Sequence, residues 1–85
     1  MTDKELIEQL AHFEHASWAH WMEYLFEVCP VNNDGSHTIP WLLAERWQRQ
    51  IATSYSDLTE REKDSDRAEV KLIMPVIKEW AKGKK

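Results

Sequence analysis

Between Leu6 and Val28 the apolar residues recur at helical spacing in two adjacent rows, and no other feature limits the fold of this chain as tightly. Leu6, Leu10, Phe13, Trp21, Tyr24 and Val28 make one row, with the small Ser17 in its single gap. Ile7, Ala11, Trp18, Met22 and Leu25 run beside it. Thr2-Asp3-Lys4-Glu5 has the form of a capping box, with Thr2 as N-cap and Glu5 three residues on. Pro30 cannot continue a helix and biases its predecessor away from helical geometry, so the spacing predicts a first helix ending near Glu27. Together the two rows are wider than the surface helix of a monomer needs.

Cys29 to Thr38 holds Pro30, Asn32-Asn33-Asp34-Gly35 and Ser36, a dense set of turn formers, and predicts a long loop with a tight hairpin at Asp34-Gly35. Pro40 suits the first turn of a second helix, Trp41 to about Ala52, with Leu43, Ala44, Trp47 and Ile51 facing inward. Thr53, Ser54 and Ser56 break it, and Tyr55 and Leu58 are expected to pin the connection. Thr59-Glu60-Arg61-Glu62 is a second capping box and opens a third helix. Residues 59–67 carry no apolar side chain, whereas Leu72, Ile73, Val76, Ile77 and Trp80 form an apolar face. Pro75 lies inside that run and predicts a kink or restart between Lys71 and Met74. Gly83 is placed to cap the end. The expected fold is all-α, a small three-helix domain spanning 1–85 with a long irregular loop between helices 1 and 2.

At 85 residues the chain has room for one domain and no staple for it. Cys29 is its one cysteine, which excludes an intrachain disulfide and any multi-thiol metal site and points to a reducing compartment. The charged start lacks the pattern of a signal peptide, and no apolar run approaches the roughly 20 residues of a membrane span. A soluble, cytoplasmic protein is expected, with no membrane partner. The net charge of -4 argues against a duplex nucleic-acid binder, which carries a basic face. The basic end Lys82-Gly83-Lys84-Lys85 complements the dipole of the preceding helix.

Catalytic patterns are missing: there is no phosphate-cradling glycine loop, no nucleophile elbow and no His-Glu-x-x-His, and two glycines serve the whole chain. The expectation is a protein that is not an enzyme and carries no cofactor. Glu8, His12 and His15 lie at i, i+4 and i+7 on one side of the first helix, a spacing that suits zinc. No fourth ligand or supporting partner accompanies them, so no metal is expected. Five tryptophans (Trp18, Trp21, Trp41, Trp47 and Trp80) are the obvious core material, each burying roughly 150–250 Å². Burying all five in so small a body would be difficult.

Lys63 and Arg67 stand at i, i+4 and repel each other mildly on one helix face, a repulsion that an anion would relieve. The plain alternative satisfies them within the helix, through Glu60 with Lys63, Lys63 with Asp66, and Asp64 with Arg67. The block Tyr55-Ser-Asp-Leu58-Thr-Glu60-Arg-Glu62-Lys63-Asp-Ser-Asp66-Arg67 resembles the signature of the ryanodine-receptor (RyR) repeat domain, Tyr-x-x-Leu-x-Glu-x-Glu-Lys-x-x-Asp-Arg. His15-Ala16-Ser17-Trp18 resembles the family's first-helix segment, and the chain looks like the short stand-alone phage or prophage members. The family's Gly-Trp segment after the first helix is replaced here by Tyr24-Leu25-Phe26.

The resemblance implies a compact helical module able to hold an adenine nucleotide between aromatic and basic residues. Carried over by position, it assigns ligand contacts to Tyr55, Lys63, Asp66, Arg67 and Trp18, with Asp66 orienting Arg67. Trp21 and Trp47 are expected beside them, offering stacking surfaces for a base. The expected function is therefore a non-catalytic module recognising a nucleotide or related anionic small molecule, to sense or sequester a signal. The alternative is a protein-interaction or structural accessory protein, whose surplus aromatic surface forms a homo-oligomer, most simply a two-fold dimer, or docks a partner.

Overall fold

The computed structural model describes residues 1–84, and among them the fold is all-helical. Three α-helices occur in order: α1 (Asp3–Val28), α2 (Trp41–Ile51) and α3 (Glu60–Lys82), with a single 3-10 turn at Tyr55–Asp57 before α3. Both capping boxes form. Thr2 Oγ1 accepts from the Glu5 N–H at 3.1 Å while Glu5 Oε1 accepts from the Thr2 N–H at 3.0 Å. Thr59 and Glu62 repeat the exchange at 3.2 and 3.0 Å. Each box satisfies N–H groups that the first helical turn leaves without partners.

α1 ends where Pro30 forbids continuation, and the Cys29 N–H closes its last turn on the Leu25 carbonyl at 3.0 Å. The loop that follows is irregular but well bonded. Val31 and His37 form one antiparallel bridge around a turn in which Gly35 sits at φ +88°, a left-handed backbone that suits glycine. Asp34 Oδ1 accepts from the Ser36 N–H at 3.0 Å, and Asn32 Nδ2 donates to Ser36 Oγ and Thr38 Oγ1. His37 Nδ1 lies 2.8 Å from the Cys29 carbonyl oxygen, and its ring meets Phe26 edge-on at 4.8 Å, so the loop is fastened to the end of α1.

α1 and α3 pack against each other and run antiparallel. At the open end, Asp3 Oδ1 accepts from Trp80 Nε1 at 3.0 Å and from Lys84 Nζ at 3.1 Å. Lys84 also lies 4.9 Å from the Trp80 ring centre, so the basic end folds back onto the start of α1. Lys85 lies outside the described residues. At the other end, Arg49 of α2 bonds Glu62 in the first turn of α3 at 2.9 Å.

Of the expected kink or restart at Pro75, the restart does not occur: helical geometry continues from Glu60 to Lys82. Pro75 and Lys71, whose carbonyl loses its helical donor, are both exposed, so the vacated carbonyl is open to water. The tryptophans do not form the expected core. Trp18, Trp21 and Trp41 are exposed, and Trp47 and Trp80 are half-buried. Cys29, 1% exposed, is the one buried residue among those described. Ile51, expected on the inner face of α2, is 85% exposed, and Leu72 of α3 is exposed as well. The cause is thickness. The molecule measures 55 × 33 × 16 Å, a sheet of helices one layer deep. A core needs a second layer.

Candidate functional site

The residues assigned to a site from sequence divide into three places. Trp21, Trp47 and Asp66 line one open groove of about 800 Å³ where α1, α2 and α3 converge. Sequence reasoning missed the cations in it: Arg46 and Arg49 on α2, and Arg61 on α3. Arg46 and Arg49 flank Trp47 on a single helix turn, a local signal available in the sequence. Arg61 joins them only because the connection over 52–59 brings the first turn of α3 back toward α2, where Arg49 bonds Glu62.

Arg49 is held by Glu62. The Thr59 N–H, and after it the Arg49 guanidinium, holds the Glu62 carboxyl down at about 2. Arg46 and Arg61 make no ion pair among the described residues. Asp66 lines the same groove from α3 and does not bond Arg67.

Lys63 and Arg67 stand outside this groove. Arg67 Nη1 donates to Glu60 Oε2 at 3.0 Å and Asp64 Oδ1 at 2.8 Å, which raise its pKa still further. Lys63 Nζ lies 3.6 Å from Glu60 Oε1 and 5.8 Å from the Tyr55 ring centre. Glu60 thus bridges the two cations, and its own pKa is lowered, first by the hydrogen bond from Arg67. Tyr55 is exposed and leaves the pinning of the connection to the half-buried Leu58.

Trp18 lies elsewhere again. It lines an apolar furrow of about 470 Å³ along α1 with Ala19, Met22 and Phe26, and stacks on His15 at 5.8 Å. A third cleft of about 500 Å³ opens between α1 and α3, floored by Leu10, Phe13, Ser17 and Ile73, with Glu14 and Glu69 at its edge.

Glu8, His12 and His15 do not gather as ligands. Among the described residues no group of three or more His, Cys, Asp or Glu side chains is placed to hold a metal ion. Nor is any helix among them long and apolar enough to cross a membrane. Every buried side-chain nitrogen or oxygen among them has a hydrogen-bond partner. The surfaces that remain are open clefts, two of them largely apolar and one lined by aromatic, basic and acidic side chains together. No family model matches the sequence, and no curated protein or solved structure matches it either.

Proposed function

We propose that this chain is a non-catalytic protein-interaction module whose apolar surface is completed by association. One observation carries the reading. A folded chain of 10.1 kDa exposes about 5,300 Å² by the usual size scaling, whereas this one exposes 7137 Å². Large apolar side chains contribute to the excess: Ile7, Trp18, Phe26, Trp41, Leu42 and Ile51 all stand open. Exposed apolar surface on this scale marks an interface. The hydrophobic dye anilinonaphthalene sulfonate tests the reading. At low micromolar concentration the helical chain should bind it strongly, and dye binding should fall as a partner or self-association covers the surface. A helical chain that ignores the dye at every concentration would refute the proposal.

The groove beside Trp47 favours a second reading, in which a RyR-like module recognises a nucleotide or related anion to sense or sequester a signal in a phage-type setting. Its support is the placement of Arg46 and Arg61, without ion pairs, beside the Trp21 and Trp47 rings. Calorimetry with adenine and cyclic nucleotides should then give binding that Arg46→Ala weakens about ten- to hundredfold, the loss of one charge-assisted bond. Arg67→Ala should matter far less, because Arg67 is occupied by Glu60 and Asp64. No heat from any nucleotide would remove this reading.

A further inference from the structure

We infer that the open side of α1 is covered by a second copy of this chain, laid antiparallel across a two-fold axis near the middle of that helix. The inference rests on the interaction-module reading and adds the partner and the face. The row Leu6, Leu10, Phe13 and Ser17 is half-buried toward α3. Ile7, Ala11, His15, Trp18, Met22 and Phe26 fall within an arc of about 100°, centred about 140° away from that row at 3.6 residues per turn. Of these six only Met22 is even half-buried, and Ile7, Trp18 and Phe26 are 64%, 57% and 57% exposed. Among the described residues the loop meets this side only at Phe26, through the His37 ring, and Ile7, Ala11, His15 and Trp18 stand open.

The pattern is complementary to its own reverse. In an antiparallel pair centred between His15 and Trp18, Ile7 of one copy meets Phe26 of the other. Ala11 meets Met22, small against long, and His15 meets Trp18, the pair that already stacks within one chain at 5.8 Å. Each contact occurs twice, as two-fold symmetry requires. From Ile7 to Phe26 the seam is about 28 Å long at 1.5 Å per residue.

Charge selects the same direction. A parallel pair would set Lys4 against Lys4 and Glu8 against Glu8, while the antiparallel pair separates both. Glu8 lies at the edge of the arc, level with Phe26, whereas Glu5, Glu23 and Glu27 lie well outside it. Area is sufficient for a copy: permanent dimers draw about 1,000 Å² or more from each subunit, and the whole chain exposes more than that beyond the usual size scaling.

Light scattering on the wild-type chain should give twice the 10.1 kDa chain mass. Ala11→Glu should halve the mass and keep the helical circular dichroism, since Ala11 is exposed in the single chain. Ile51→Glu, on the far side of α2, should remain a dimer. Under oxidation the double variant Ala11→Cys/Met22→Cys should form interchain disulfides, while Ala11→Cys alone should not.

Efficient cross-linking of Ala11→Cys alone would mean a parallel pair and overturn the inference. A dimer indifferent to Ala11→Glu would overturn the face. A monomer that binds the hydrophobic dye would overturn the second copy as occupant and leave the interaction-module reading in place. A monomer that binds no dye would overturn both.

Discussion

Glu62 uses both carboxylate oxygens at one junction. Its Oε1 accepts from the backbone and hydroxyl of Thr59, closing the cap of α3, and its Oε2 accepts from Arg49, tying α2 to that cap. These donors favour the ionised form and lower its pKa from 4.5 to about 2. A carboxyl depressed on folding contributes stability that is fully present above 4.5 and is lost as pH falls toward about 2. The melting temperature should therefore decline across that window. Glu62→Gln should melt lower at neutral pH and show a shallower acid limb, with Asp3, Glu5, Asp34 and Glu60 supplying the slope that remains. An unchanged limb in the variant would deny Glu62 this role. The capping half of the arrangement is legible in Thr59-x-x-Glu62. The Arg49 half is not, because thirteen residues separate the partners and only the return of the chain brings them together.

Within the elements, periodicity and caps place three helices to within a residue or two of their ends. Pro75 is where local rules misled. A proline in a helix interior removes one hydrogen bond, but whether the helix breaks depends on what else must lose contact there. Ile73, Val76, Ile77 and Trp80 lie along α1, and Pro75 faces water on the opposite side, so packing carries the helix through. Pro75→Ala should restore the bond to the Lys71 carbonyl and stabilise the protein by about 1–3 kcal/mol. Thermal melts would register this as a rise of about 4–8 °C per kcal/mol in a chain of this size. A lower melting point would mean that Pro75 is fitted to a bend the alanine helix cannot share. The two rows of α1 were equally legible, but not their fates: the Leu6–Ser17 row meets α3, while the row through Trp18 is exposed from Ile7 to Trp18 and half-buried only at Met22 and Leu25.

At the scale of the molecule, the radius of gyration is 17.1 Å, against about 12 Å for a compact domain of this length. A body one helix thick covers each apolar side chain on one side at most, which is why five tryptophans produce no buried tryptophan. Stability should then depend on chain concentration, because a partner that binds only the folded state stabilises it by mass action. Thermal melts across a hundredfold dilution series should shift downward on dilution. A melting point independent of concentration would fit a chain stable by itself.

Helix content, helix ends, the loop between α1 and α2 and the width of the apolar face of α1 all follow from the sequence. They depend on contacts between residues close along the chain, where spacing, caps and prolines act directly. Tertiary structure alone decided which aromatic rings stand near which cations. Lys63 and Arg67 look like an anion site at i, i+4, yet Glu60 occupies both. Arg46 and Arg61 come from different helices and line one groove with Trp47 only once the connection over 52–59 turns the start of α3 toward α2. The thinness of the fold was hidden for the same reason. Hydrophobic spacing specifies which face of a helix seeks cover, and only the arrangement of all three helices determines whether this chain can supply it.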